Sequence, residues 1–118
     1  MYVGLYTTAP TDAGGGVEVS GGNYSRVAVA SSLANWAGTQ GAGTTVASTG
    51  TGGQTSNNGV ITFPAPSGAW GLIVALGIFD AVSAGNLLYW GLVTPNKTVN
   101  ASDPAPTIAA GTLTITED

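Results

Sequence analysis

The 118-residue sequence predicts an all-β fold, an antiparallel β-sandwich or jelly roll of about eight short strands joined by long Gly/Thr/Ser loops. Three observations point there. Clusters of Gly, Pro, Asn, Asp and Ser recur at near-regular spacing. The segments between them are short and rich in β-branched and aromatic residues. No segment sustains a helical period.

Taken in order, Tyr2 to Thr7 reads as a strand ended by Pro10 and Asp12, since proline cannot donate to a ladder and Asp favours a turn. Gly14-Gly15-Gly16 is a joint, Val17 to Ser20 a brief strand, and Gly21-Gly22-Asn23 a second turn. Tyr24 to Ala30 then reads as a strand with Val27 and Val29 on one face and Tyr24, Arg26 and Ala28 on the other. Residues 37–59 form a long Gly/Thr/Ser-rich loop, with an inner bridge expected around Thr44 to Ala47. Trp36 stands alone beside it, either as a plug over the chain's own core or as an anchor for a neighbouring surface.

Val60 to Phe63 resumes strand character and stops at Pro64. The strongest packing power follows, in Trp70 to Val93. Two apolar runs, Trp70 to Phe79 and Leu87 to Val93, flank the turn-like segment Asp80 to Asn86, which favours an antiparallel hairpin. Apolar runs of this length also suit a buried helix, but two glycines and the β-branched content of the first favour strand. Alternation places Trp70, Leu72, Val74, Leu76 and Ile78 on one face, with the smaller Gly71, Ile73, Ala75 and Gly77 plus Phe79 on the other; Trp70, Leu72, Val74, Leu76, Ile78, Phe79, Leu88 and Trp90 are the expected core hairpin. Both faces are apolar, so the second needs a cover, from this chain or another subunit. Thr94-Pro95-Asn96 reads as a turn, Lys97 to Val99 as a short strand, and Ile108 to Thr116 as a last strand with Leu113 and Ile115 inward.

The length fits one domain, residues 1–118, able to bury roughly two-thirds of its unfolded surface. Charge is scarce. Two basic and six acidic residues make up 7% of the chain, against about 25% in a typical soluble domain. A weakly charged surface of Thr, Ser, Ala and Gly suits a protein whose surface is occupied by partners. With Arg26 and Lys97 as the only cations, phosphate-backbone recognition is excluded, and no nucleic-acid partner is expected. Neither apolar run is long enough to span a bilayer as a helix, so no membrane partner is expected. Met1 leads straight into strand-like residues, so no secretory signal is expected, and the Asn-x-Ser/Thr triplets at Asn23, Asn96 and Asn100 are read as chance.

Nor does the sequence argue for an enzyme. Without cysteine or histidine it lacks disulfides, thiolate sites, the commonest metal ligand and the commonest general base, and no metal, cofactor or catalytic residue is expected. Asp80 and Asp103 are the carboxylates to consider as a glycosidase pair or calcium site, but each occupies an ordinary turn position. Arg26 is the polar side chain that stands out. Solvent exposure is its ordinary reading; if buried it needs an anion, Asp80 or Glu18, and Arg26 with Asp80 is the candidate ion pair. Trp36 and Arg26 are the candidate interface residues.

Several segments taken together resemble a known group. GNYSR at Gly22 to Arg26, ITFPA at Ile61 to Ala65, GIFDA at Gly77 to Ala81 and GNLLYWG at Gly85 to Gly91, with the opening GLYTTAPTDAGGGVEVSG, the later LVTPNKTV and the closing AAGTLTIT, are similar to small structural proteins of tailed bacteriophages, described as tail, tail-fibre-like or virion proteins. The resemblance covers most of the chain and rests on the order and spacing of the segments. It implies an all-β virion component, made in the host bacterial cytoplasm, with no catalytic residues. Within a virion the compact size and apolar second face favour a capsid decoration, or cement, protein, assembled as a homotrimer against the major capsid protein. A tail, tail-tip or fibre accessory is the alternative. A carbohydrate-binding module, with Trp36, Trp70 or Trp90 stacking on sugar rings, is the alternative from another class; it requires an exposed Trp flanked by hydrogen-bonding side chains.

Overall fold

The computed structural model describes residues 1–32, 35–36 and 54–116. Among these there are nine strands and no helix: β1 (Tyr2–Thr8), β2 (Val17–Glu18), β3 (Val27–Ala28), β4 (Gln54–Ser56), β5 (Ile61–Thr62), β6 (Gly71–Phe79), β7 (Leu87–Val99), β8 (Thr107–Ile108) and β9 (Thr114–Thr116). Every pairing is antiparallel, so the chain has the all-β class its turn spacing predicts. It divides into two compact units, Met1–Ala28 with Phe63–Pro106, and Val29–Thr62 with Thr107–Asp118.

The first unit is built on a sheet in the order β2-β1-β6-β7, with β3 also pairing to β1. β2 meets the C-terminal end of β1 and β3 its N-terminal end, so two short strands share one edge. The turn between them runs through positive φ at Gly21, Gly22 and Asn23, and Tyr24 N–H donates to the Gly21 carbonyl at 2.9 Å. That bond keeps Tyr24 in the turn, and the strand expected from Tyr24 to Ala30 shortens to Val27–Ala28. β6 and β7 form the central hairpin. Thr94, Pro95 and Asn96 lie within β7 instead of ending it: between the Ile73–Lys97 and Ala75–Leu92 pairs, Val74 alone faces four residues of β7. This wide irregularity on an edge strand accommodates the N–H that Pro95 lacks.

The register explains how the hairpin is buried. Gly4 of β1 lies directly opposite Gly77 of β6, and Tyr6 opposite Ala75. These small residues form a floor on which rings lie flat: the Tyr6 and Phe79 rings stack with centroids 6.0 Å apart. A Cβ on Gly77 would come within 2.7 Å of Leu87 Cδ1 and 2.9 Å of Tyr6 Cε2. On β6 the small residues Ala75 and Gly77 are therefore buried, because they receive large side chains from Tyr6, Phe79 and Leu87. The opposite face is only partly covered, with Val74 and Leu76 half-buried and Leu72 exposed, while Ile78 and the flanking Trp70 are buried. Of the expected core hairpin, Trp70, Ile78 and Phe79 are buried, whereas Leu72 on that face and, on β7, Leu88 and Trp90, the latter directly opposite Gly77 on the small-residue face, are surface residues.

In the second unit β4 pairs with β9 and β5 with β8. Asn57 is its polar hub. Fully buried, it donates through Nδ2 to the Gly59 and Ala109 carbonyls at 2.8 and 3.0 Å and accepts Leu113 N–H at 2.9 Å. The single strand expected from Ile108 to Thr116 is broken by a turn at Ala109–Thr112, where Gly111 has φ 78°. Leu113 points inward, as the alternation requires. Trp36 is buried and bridges to Asn57. The bridge expected around Thr44 to Ala47 lies outside the described residues.

The glycine floor makes a specific demand. A Cβ on Gly4 would lie within 2.9 Å of Glu18 Oε2, Phe79 Cε2 and Tyr24 Oη, all held by other partners. Gly4→Ala is expected to destabilise the fold by about 1–3 kcal/mol through overpacking. Gly59→Ala, whose Cβ would meet nothing within 4 Å among the described residues, is expected to stay within about 0.5 kcal/mol of the parent. Urea denaturation of the two variants checks the difference.

Candidate interaction surface

Above the paired glycines sits the one buried cation among the described residues. The Arg26 side chain is 7% exposed, and its guanidinium carbon lies 3.4 Å from the Phe79 ring centroid, over the face of the ring. Glu18 receives it bidentately, with Nε to Oε2 and Nη2 to Oε1 both at 2.8 Å. Tyr24 joins them: its hydroxyl donates to Glu18 Oε2 at 2.8 Å and accepts Leu5 N–H at 2.8 Å. Arg26 Nη1 reaches the other way and donates to the carbonyls of Ala81 and Ala84, both at 2.9 Å, inside the β6–β7 loop. The sequence places Arg26 and Tyr24 on one face, and the structure adds that this face lies over Phe79.

The partner of Arg26 is therefore Glu18, and the expected Arg26–Asp80 ion pair is corrected. Asp80 instead closes the hairpin loop, where Oδ1 accepts Asn86 N–H at 2.7 Å and Oδ2 accepts Asn86 Nδ2 at 2.8 Å. Those bonds hold the Asp80 carboxyl below its ordinary value. Asp103 likewise caps its own turn by accepting Asn100 N–H at 2.8 Å. The two carboxylates considered together in the sequence each serve local turn geometry. Arg26, a candidate interface residue, is an internal clamp, and Trp36, the other, is buried with an indole N–H that meets no acceptor among the described residues.

The surface that stands open belongs to the hairpin. Leu92 is 69% exposed, Leu88 46% and Trp90 37%. Trp90 lies opposite Gly77 and Leu92 opposite Ala75, so the residues across the pair have little or no side chain to cover them. On its other side β7 has no strand among the described residues, being the edge of the sheet. Alternation in LLYWGLV marks Leu88, Trp90 and Leu92 as one set, yet does not say that their strand is an edge. From Leu87 to Asn96 the stretch carries no charge.

Electrostatics of the clamp give a pH dependence. Burial alone would raise the Glu18 carboxyl above its ordinary 4.5, but the hydrogen bonds from Arg26 and Tyr24 outweigh it and hold the group lower in the folded chain. Burial also pushes the Tyr24 hydroxyl up, and its bond to Glu18 adds to the rise. Because the folded Glu18 value lies below the unfolded one, its contribution to stability is whole at neutral pH. It declines as pH falls below the unfolded value and vanishes below the folded one. Glu18→Gln is therefore expected to lose less stability than the parent between about pH 6 and pH 3, with Asp80 supplying what acid sensitivity remains. Urea midpoints across that range check this, and identical slopes would mean that Glu18 does not carry the acid sensitivity.

A search of curated proteins finds no match. Among protein families, residues 1–116 match the one described as podophage GP4 fiber I protein gp80. The segments that resemble tailed-phage structural proteins and the match over nearly the whole length agree, and the chain belongs to this family of podophage fibre proteins.

Proposed function

We propose that the protein is a non-enzymatic structural component of the podophage tail fibre, which works by presenting apolar strand surface to neighbouring virion proteins, further copies of itself among them. The observation that carries this reading is the family match over residues 1–116. A fibre family favours the tail, tail-tip or fibre role over capsid decoration, and with it fibre subunits over the major capsid protein as neighbours. The uncharged, exposed face of β7 supports a role in assembly, since large aliphatic and aromatic side chains left in water mark contact surfaces.

That face also bears on the carbohydrate alternative. Trp36 and Trp70 are buried, and the Trp70 indole donates to the Gly22 carbonyl at 2.8 Å. Trp90 is exposed, but its alternate neighbours Leu88 and Leu92 are aliphatic. A sugar platform needs donors and acceptors beside the ring to orient hydroxyls, whereas a protein contact needs apolar area.

Two measurements test these statements. Antibody labelling of intact particles is expected to mark the tail fibres; label confined to the head surface would sink the fibre role in favour of the decoration role. Iodide quenching of the recombinant chain is expected to act on Trp90, so Trp90→Phe should remove most of the quenchable fluorescence and Trp70→Phe almost none. The reverse result would contradict the exposed face.

A further inference from the structure

We infer that the Arg26 clamp is an acid-released latch on the β6–β7 loop: with Glu18 ionised it holds residues 80–86 in one strained conformation, and with Glu18 protonated the loop opens while the sheet beneath it stays folded.

The loop is held at its ends and at its middle. Its ends are tied to each other, since Asp80 accepts Asn86 N–H and Nδ2 on its two carboxylate oxygens and Asp80 N–H donates to the Asn86 carbonyl at 3.2 Å. Its middle is left-handed at two successive residues, Ala84 at φ 52° and Gly85 at φ 69°. Glycine adopts this region freely, but Ala84 has a Cβ that disfavours it and no polar side chain to offset the cost. Such a residue persists where its surroundings over-determine it. Here that hold comes from Arg26 Nη1, which takes the Ala84 carbonyl and, three residues before it, the Ala81 carbonyl, each at 2.9 Å. Residues 82–86 are exposed, so packing adds little to these bonds.

Arg26 can stay in place only while its charge is met. Its side chain is 7% exposed, and Glu18 receives it on both carboxylate oxygens. A proton on Glu18 removes the counter-charge and turns one acceptor oxygen into a hydroxyl, which leaves a buried cation over the Phe79 ring without its anion. Water is near, because the bond to Ala84 lies at the surface. The guanidinium is relieved by turning outward, and in turning it drops the two loop carbonyls. The sheet does not share this dependence. The β1–β6 ladder and the Tyr6–Phe79 stack are made without Glu18, and the Tyr24 hydroxyl can accept Leu5 N–H in either protonation state of the carboxyl.

Among the described residues, the titratable and charged groups around Glu18 are Arg26 and Tyr24 from the segment before β3 and Tyr6 from β1, with Asp80 acting on Arg26 from the loop. Burial works against the Glu18 charge, but the hydrogen bonds from Arg26 and Tyr24 outweigh it, so the latched carboxyl lies below its ordinary 4.5. Tyr6 and Tyr24 are both raised, by burial first, and stay neutral through the acid range. Opening the loop frees Glu18 from Arg26 and returns it toward its ordinary value, so opening takes up a proton. The latch is therefore fully closed well above 4.5 and is lost as pH falls toward the lower, latched value.

Electron paramagnetic resonance on the full chain tests the latch. The sequence has no cysteine, so a nitroxide on Val82→Cys, at a loop position 58% exposed, reports on the loop alone. Its mobile fraction is expected to rise about tenfold between about pH 7 and pH 3.5 while the far-ultraviolet circular dichroism of the sheet holds constant. In the same labelled chain Glu18→Gln is expected to be mobile already at neutral pH and to show no acid step, with circular dichroism confirming its fold. Asp80→Asn is expected to keep the step, which separates Glu18 from the loop's own carboxylate. A label that stays immobile until the dichroism is lost overturns the latch, as does a step that survives Glu18→Gln or disappears in Asp80→Asn. The parent titration and Asp80→Asn decide the outcome if Glu18→Gln does not fold.

Discussion

The stacking of Arg26 on Phe79, over the facing glycines Gly4 and Gly77, is the interaction on which the first unit depends. In a chain with only two basic residues, one is almost wholly buried, and a buried guanidinium is tolerable only when its charge and donors are met. Here Glu18 meets the charge, the Phe79 face receives the plane of the cation, and two loop carbonyls take the remaining donor group. A desolvated cation–π contact contributes about 2 kcal/mol, and removing one member of a buried pair costs more than the pair itself contributes. The arrangement therefore fixes position more than it adds stability. It ties β2, the segment entering β3, β6 and the β6–β7 loop to one point, and it requires glycine beneath, since any Cβ on Gly4 would occupy the space of the rings and the carboxylate.

Much of the fold is legible in the sequence because it follows from local rules. Turn residues delimit the strands, alternation orients Leu113, and the two apolar runs separated by Asp80 to Asn86 give the hairpin. What escapes is whatever depends on pairing between distant segments. The small-residue face of β6 looks the less favourable one to bury until β1 is laid beside it. Only then do Gly4 and Gly77 coincide and make room for Phe79, Tyr6 and Leu87. Large side chains are not automatically interior; they are interior where a neighbour leaves space for them.

The candidate surface escapes for a related reason. Leu88 and Trp90 read as core because bulky apolar residues usually are, and only the strand order shows that β7 is an edge. The ion pair fails by a narrower margin. Glu18 and Asp80 are both plausible anions for Arg26 in one dimension, but the β1–β2 register sets Glu18 opposite Tyr6, whose ring stacks on Phe79. Asp80, already engaged by Asn86, is left to the loop.

Clamp and surface are connected through the hairpin loop. Arg26 holds the Ala81 and Ala84 carbonyls while Asp80 and Asn86 close the loop, so the point at which β7 leaves the loop is fixed from two directions. Immediately beyond it the register slips, with Phe79 opposite Leu87 and Ile78 opposite Tyr89, leaving Leu88 as the extra residue. A shift of one residue would exchange the two faces of β7 and turn Trp90 and Leu92 away from the small residues Gly77 and Ala75. The buried cation thus does more than satisfy its own charge. By setting the loop it sets the register, and by setting the register it decides which side chains of β7 face outward.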